Sequence, residues 1–141
     1  MRHHCRPAGL AAIAVMGFIA AMTPAAAQQK GLADRVLSQP MQPAPANCDS
    51  GNRIDLELCA VARFRAADAE LNRVYRDIAG DKPNRDLLLS AQRIWLAYRD
   101  ATCAWEEDRV RGGTAATLYA INCLAAATEA RTAYLQQATG P

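Results

Sequence analysis

The sequence predicts an all-α fold, a small disulfide-stapled bundle of three antiparallel helices. Apolar residues recur at helical spacing between residues 52 and 137, and Gly or Pro interrupts this stretch at only two points. No segment shows the alternation that is typical of strands. Because the connections between the long helices are short, neighbouring helices are expected to be antiparallel. A signal peptide and a Pro/Ala/Gln-rich tether are expected to precede this bundle.

Residues 1–27 have the features of a Sec-type signal peptide. Two arginines precede an apolar run at 10–22, and three alanines come before the expected cut between Ala27 and Gln28. The apolar run is shorter than the roughly 20 residues that span a bilayer. Cys5 precedes this run, so it cannot be the acylated cysteine of a lipoprotein. The mature chain is therefore expected to be periplasmic or secreted, without a membrane anchor.

The expected mature chain has balanced charge and no histidine. Arg2 and Arg6 leave with the signal peptide, so the 16 Lys and Arg fall by two to 14, against 14 Asp and Glu. This balance does not favour nucleic acid or an anionic membrane as a partner. Both histidines, His3 and His4, also leave, which excludes Ser-His-Asp or Cys-His catalysis and a histidine zinc site. We expect a binding protein without enzymatic activity, cofactor or metal.

The segment 28–47 is expected to be a flexible tether. It contains three prolines among Gln, Ala and Ser, with at most one weak helical turn at 32–37. The folded domain then spans 48–138, about 90 residues. A domain of this size has a small core that gains stability from covalent staples.

Local sequence signals predict the ends of three helices. The first is expected over 52–79, with an asparagine as N-cap and Gly80 after its last residue. The second starts near Pro83, because proline suits a first helical turn, and ends near Val110. The third is expected over 114–137, after a Gly-Gly turn.

Helical projection predicts which side chains face the core. The stripe predicted for the first helix contains Val61, Phe64, Leu71, Tyr75 and Ile78. The stripe predicted for the second contains Ala91, Ile94, Trp95, Tyr98 and Thr102. Its flank carries Gln92, Arg99 and Cys103, and its solvent side carries Arg93 and Asp100. The stripe predicted for the third contains Ala116, Tyr119, Cys123, Ala126, Ala127, Ala130 and Tyr134.

Two polar residues interrupt the stripe of the first helix. Asp68 and Asn72 are four residues apart and face the same way. A buried, unpaired carboxylate costs several kcal/mol, so Asp68 requires an arginine or several hydrogen-bond donors. Arg99 and Arg131 lie on the flanks of the other two helices and are the candidates. We therefore predict a structural polar cluster of Asp68, Asn72, Gln92, Arg99 and Arg131.

Four cysteines remain after the signal peptide, and they predict two disulfides. An even number in an exported chain favours complete pairing. Cys103 and Cys123 lie at similar distances on either side of the Gly-Gly turn, which brings them together. Cys59 points away from the stripe of the first helix, towards Cys48. The favoured pairs are Cys48–Cys59 and Cys103–Cys123, and the alternative is Cys59–Cys103 with Cys48–Cys123.

An ordered set of motifs spans the whole predicted domain. It consists of the two early cysteines, Ala67-Asp68-Ala69-Glu70-Leu71-Asn72 with Tyr75, Gln92-Arg93-Ile94-Trp95-Leu96-Ala97-Tyr98-Arg99-Asp100 with Cys103, Gly112-Gly113-Thr114, Cys123, and Thr128 with Arg131-Thr132 and Leu135. Together these motifs resemble the LprI-like lysozyme inhibitor family. The resemblance implies a helical, disulfide-stapled envelope domain that binds and inhibits c-type lysozyme. The chain lacks the lipobox cysteine of the naming member, so a periplasmic or secreted form is implied.

The charged end of the second helix and the turn after it form the predicted partner-binding site. A lysozyme cleft carries two catalytic carboxylates on a cationic protein, so an inhibitor needs donors for the cleft and acids for its rim. Glycines also allow a loop to approach a cleft closely. The candidate residues are Glu106, Glu107, Asp108, Arg109, Arg111, Gly112, Gly113 and Thr114. The alternatives are an ordinary solvated helix end and a non-inhibitory periplasmic module that binds another partner.

Overall fold

The computed structural model describes residues 31–80 and 83–138. Within these residues it contains helices and no strand. The helices are α1 (Leu32–Leu37), α2 (Arg53–Ala79), α3 (Arg85–Arg109) and α4 (Ala116–Gln137). The all-helical class is confirmed, with one short helix more than predicted. The expected signal peptide and its cut between Ala27 and Gln28 lie outside the described residues.

The three long helices begin and end close to the predicted residues. The side chain of Asn52 accepts a hydrogen bond from the Ile54 N–H at 3.0 Å and caps α2. Gly80 follows the last residue of α2. Gly112, in the turn between α3 and α4, has φ of 85°, a backbone conformation that favours glycine.

α4 lies at the centre of the bundle, because it packs against both α2 and α3 while these two make little contact with each other. α2 and α4 are parallel. Arg63 contacts Glu129, and two helical turns further along both helices Glu70 contacts Gln136. The fully buried side chains along this pair of helices include Phe64, Leu71, Leu124, Thr128 and Leu135. α3 covers the other side of α4 in the antiparallel sense.

The helical turn allowed at 32–37 is present as α1, and it packs on the core within the segment expected to be a tether. Leu32, Ala33 and Val36 of α1 are buried in the same apolar cluster as Phe64. Composition alone suggested a flexible chain because only one turn of apolar spacing is present. One turn suffices here because the long helices leave an apolar groove that it fills.

Hydrogen bonds from both neighbouring helices hold α1 in place. The Ala33 N–H donates to the carboxylate of Asp100 on α3 at 3.3 Å. A side chain at Gly31 would collide with that same carboxylate, which explains the glycine before α1. On the α2 side, Arg65 donates to the Val36 carbonyl at 3.2 Å and to the Gln39 carbonyl at 2.6 Å. Asp100 was predicted to be solvated, but it is half-buried because α1 packs against it.

The core-facing side of α3 differs from the predicted one. Its buried side chains are Gln92, Arg99 and Cys103. Ala91, Ile94 and Tyr98, which were expected inside, are exposed. Cys103 is bonded to Cys123 of α4, and this bond sets the rotation of α3, so the residues on the same face as Cys103 also point inward. Trp95 and Thr102 lie at the boundary and are half-buried.

The core-facing side of α4 also differs from the prediction. The buried side chains of α4 are Ala120, Ile121, Leu124, Ala125, Thr128, Thr132 and Leu135. Tyr119, Ala126, Ala130 and Tyr134, which were expected inside, are exposed. The reason is that α4 packs mainly on α2, so its larger apolar side chains point there and Cys123 lies at the edge facing α3. On α2, Phe64 and Leu71 are buried as predicted.

The cysteines are paired as the sequence favoured, Cys48 with Cys59 and Cys103 with Cys123. The first bridge joins the segment before α2 to the α2 helix itself. The second joins α3 to α4 near their connecting turn.

Over the described ranges, no helix has both the length and the apolar character needed to cross a membrane.

Candidate protein-binding site

Arg99 on α3 is the centre of the polar cluster. Its side chain is only 4% exposed, and its guanidinium nitrogens lie 2.9 Å from an Asp100 oxygen and 3.7 Å from an Asp68 oxygen. It also lies 3.4 Å from the hydroxyl of Thr128 on α4. Arg99 therefore connects α2, α3 and α4 through polar contacts within the protein.

Arg131 on α4 forms the second half of the cluster. Its Nε donates to the side-chain oxygen of Gln92 at 3.1 Å. Its guanidinium carbon lies 5.7 Å from the centre of the Trp95 ring and 5.3 Å from that of Tyr134. Because Arg99 lies 5.3 Å from the same Trp95 ring, this indole contacts two guanidinium groups.

Asp68 carries an electrostatic cost within the cluster. Burial raises the pKa of its carboxyl, and this effect outweighs the charge of Arg99 and the hydrogen bond from Asn72, which lower it. The Asn72 amide donates to the carboxylate at 2.9 Å. The pKa is raised further by the carboxylates of Asp34 and Asp100. The ionised form of Asp68 is thus only partly compensated.

The five side chains predicted for the polar cluster form two groups, Asp68 with Asn72 and Arg99, and Gln92 with Arg131, and both arginines contact the Trp95 ring. The structure adds two that sequence reasoning missed, Asp100 and Thr128. Asp100 was assigned to the solvent side because α1 was not expected to pack there. Thr128 is buried on a face of α4 that was predicted incorrectly. These side chains lie between helices, which favours a role in packing over contact with a partner.

The charged turn, defined here as residues 106–114, is an exposed surface at the end of α3 and the start of the connection to α4. Its ion pairs join Arg109 to Glu106, Arg111 to Asp108, and Arg35 of α1 to Glu107. All are at the surface, where such pairs contribute only about 0–1 kcal/mol and exchange readily. Donors and acids are therefore presented together.

A shallow hollow of about 260 Å³ lies beside the charged turn. Its lining residues are Ala104, Glu107, Asp108, Arg111, Gly112 and Ala116. Trp105 is exposed nearby, with the guanidinium of Arg109 5.6 Å from its ring centre. In the described part of the chain, no group of three or more His, Cys, Asp or Glu could hold a metal ion. The chemistry offered here suits contact with a protein surface.

Comparison with known proteins identifies the family. Residues 45–135, which include both disulfides, α2, α3 and α4 as far as Leu135, match the family described as lysozyme inhibitor LprI. The chain belongs to the LprI family of lysozyme inhibitors. It is also similar to an uncharacterized protein of Rhizobium meliloti (strain 1021), with 37% identity over 111 residues that cover 68% of this chain and 80% of that protein. No solved structure matches the chain.

The family match bears on the partner of this chain, on its location and on the place of α1. The family is described as lysozyme inhibitors, and an inhibitor of this kind acts by binding a protein partner. Inhibitors of lysozyme act where lysozyme is found, and the two disulfides indicate the same oxidising, extracytoplasmic location. The matched LprI region begins after α1, so the short helix that packs on the core lies outside it.

Proposed function

We propose that this protein is an exported inhibitor of c-type lysozyme and that its charged turn, residues 106–114, occupies the lysozyme cleft. The family match carries the proposal. The turn is the favoured contact because it joins exposed arginines, carboxylates and a glycine pair at one end of the domain. We also propose cleavage of the signal peptide between Ala27 and Gln28, which gives a periplasmic or secreted form.

Exchange of ion pairs provides a physical route to binding. The side chains of Arg109 and Arg111 are 53% and 81% exposed, so both guanidinium groups can reorient towards a partner. Each then donates to a catalytic carboxylate of the cleft, where bidentate pairing with arginine is strong. Their former partners, Glu106 and Asp108, are left to face the cationic rim of the enzyme.

Inhibition of lysozyme by the purified, oxidised mature protein tests this proposal. We expect saturable inhibition of a c-type lysozyme in a cell-wall lysis assay. The double variant Arg109→Ala/Arg111→Ala is expected to weaken inhibition at least about tenfold, as for arginine hot spots, without loss of folded stability. The matched control is Arg76→Ala/Arg93→Ala, which removes two exposed arginines elsewhere and changes the net charge equally.

Two results would contradict the proposal at different levels. Equal loss of inhibition in both double variants would show that the charged turn is not the contact. A folded protein that leaves lysozyme fully active at micromolar excess would remove the inhibitory function itself. The second result favours the alternative, a non-inhibitory periplasmic interaction module with another protein partner.

A further inference from the structure

α3 carries a stripe of large apolar side chains on its solvent side. Leu87, Ile94, Tyr98 and Trp105 are 75%, 69%, 66% and 59% exposed. Ala91 and Ala101 lie between them and are also exposed. These six residues, here called the α3 seam, follow one another at alternating intervals of four and three, which places them on one narrow stripe of the helix.

This spacing is the one by which one helix recognises another. Apolar residues at alternating intervals of three and four form the contact line of a two-helix coiled coil. Here the line extends over 19 residues from Leu87 to Trp105, or about 27 Å of helix. None of the helices in residues 31–80 and 83–138 covers it, since α3 packs against α4 and α1 with other side chains. The α3 seam thus has the spacing of a helix-binding surface that no described helix of this chain occupies.

The positions beside the α3 seam carry no charge. The flanking residues between Leu87 and Trp105 are Leu88, Ser90, Trp95, Ala97, Thr102 and Ala104. In coiled coils these flanks hold the charged residues that select or reject partners. Uncharged, mostly small flanks allow two copies of the same helix to approach without like-charge repulsion.

The exposed area is sufficient for a weak dimer. Side chains of this size and exposure present roughly 500 Å², near the upper end for the largest apolar patch of a monomer. Pairing two copies would remove roughly 1,000 Å² from water, the lower limit for a specific interface. We therefore expect association that depends on concentration in the micromolar range or above.

We propose that the α3 seam binds the α3 seam of a second copy of this chain, with the two helices antiparallel. A two-fold axis beside residue 96 then maps the seam onto itself. Leu87 meets Trp105 of the second copy, and Ile94 meets its Tyr98. Ala91 meets Ala101, so the small side chains face each other and allow close approach.

Charge favours the antiparallel over the parallel arrangement. Glu106, Glu107 and Asp108 lie in the last turn of α3, and parallel helices would bring the two acidic turns together. Antiparallel helices instead bring each acidic turn to the first turn of the second copy, where the charges of Arg85 and Asp86 cancel. The helix dipoles also favour the antiparallel arrangement, because the positive end of each helix then lies beside the negative end of the other. The dimer contact borders the charged turn at residues 106–108, and this proposal goes beyond lysozyme inhibition and does not depend on it.

Sedimentation equilibrium of the oxidised mature protein over a concentration series tests the dimer. We expect reversible dimerisation that Ile94→Lys weakens at least about 100-fold, since each dimer would bury two unpaired charges. The matched control, Ile54→Lys, changes an isoleucine that is 58% exposed on α2 and is expected to leave dimerisation unchanged. Both substitutions are at the surface, and circular dichroism verifies that both variants fold. A wild-type protein that stays monomeric at millimolar concentration, or two variants with equal effects, would overturn the proposal.

Cross-linking tests the direction of the two helices. Ala91→Cys and Ala101→Cys proteins are mixed and treated with a short thiol cross-linker. Antiparallel pairing predicts a covalent dimer that contains one copy of each variant, and little cross-linking within either variant alone. Efficient cross-linking of Ala91→Cys to itself would show parallel helices and would overturn the proposed arrangement.

Discussion

Arg99 is the residue on which the packing of the three long helices depends most. Its charge is removed from solvent and is compensated by carboxylates from α2 and from its own helix. Its planar group also lies 5.6 Å from the ring centre of Phe64 and 5.3 Å from that of Trp95. Removing one partner from such a buried group leaves the others desolvated and uncompensated.

Replacing Arg99 by methionine is therefore expected to destabilise the domain strongly. Loss of the guanidinium leaves Asp68 and Asp100 without their buried partner, so the free energy of unfolding should fall by about 3–5 kcal/mol. Guanidinium chloride denaturation at neutral pH measures the change. Arg93→Met, an exposed site on the same helix, serves as the control and is expected to change stability by about 0.5 kcal/mol or less. Similar values for the two variants would contradict a central role for Arg99.

The pH dependence of stability tests the electrostatic state of Asp68. Because its pKa in the folded protein is raised above the ordinary value of about 3.9, its protonated form favours the folded state. That contribution is fully present below the ordinary pKa and is lost as the pH rises through the raised pKa. Asp68→Asn has no such titration. We expect the stability of wild type relative to Asp68→Asn to decrease between pH 4 and pH 7, measured by urea denaturation.

The opposite trend for Asp68 would have a clear meaning. If wild type gained stability over Asp68→Asn with rising pH, the attraction of Arg99 would outweigh the cost of burial. The pKa of Asp68 would then be lowered rather than raised in the folded protein. Asn is the appropriate replacement because it keeps the shape of the side chain and can still contact Asn72.

At the scale of helices, α3 shows how far a sequence pattern predicts packing. Its ends and an apolar stripe were predicted, but Ala91, Ile94 and Tyr98 of that stripe were assigned to the core and lie in solvent. Periodicity detects a stripe and does not reveal what covers it. The bond of Cys103 to Cys123 and the burial of Arg99 decide the rotation, and both residues were already predicted to meet partners on other helices. Those two constraints, taken together, point to the face that is buried.

α1 shows a different limit of sequence reasoning. A helix of six residues is far too short to be stable alone, so propensity gives almost no signal for it. Its stability comes from burial of its apolar side chains and from the hydrogen bonds to Asp100 and Arg65. Such contacts join residues far apart in the chain, and local composition does not reveal them. The polar cluster was easier to predict, because a carboxylate within an apolar stripe demands a partner.

The contribution of α1 can be tested with two matched truncations. Leu32→Ala removes a buried side chain from α1 and is expected to lower the free energy of unfolding by about 2–3 kcal/mol. Met41→Ala changes a large apolar side chain that is exposed in the following segment, and about 0.5 kcal/mol or less is expected. Thermal or chemical denaturation of both variants measures the change in the free energy of unfolding relative to wild type. If Leu32→Ala were as neutral as Met41→Ala, α1 would be a tether after all.

For the molecule as a whole, the two disulfides differ in what surrounds them. Cys48 is exposed and Cys59 half-buried, and their bridge fastens the segment before α2 to the surface of that helix. Cys103 is fully buried in the main apolar cluster, and its bridge joins α3 to α4. In the chain-entropy account each bridge closes a short loop and contributes about 3 kcal/mol. Their accessibility to a reductant, however, is very different.

Reduction of the native protein is therefore expected to proceed in two steps. A thiolate must reach a sulfur atom to attack it, and in the folded state the exposed Cys48 is more accessible than the buried Cys103 or the half-buried Cys123. Under mild dithiothreitol at neutral pH, Cys48–Cys59 should be reduced first, giving a species that remains helical but unfolds at lower denaturant concentration. Alkylation of samples quenched at successive times, followed by peptide mass spectrometry, measures the order. Reduction of both bridges at the same rate in the absence of denaturant would mean that α3 and α4 open as readily as the N-terminal segment, contrary to the buried contacts of Cys103 and Arg99.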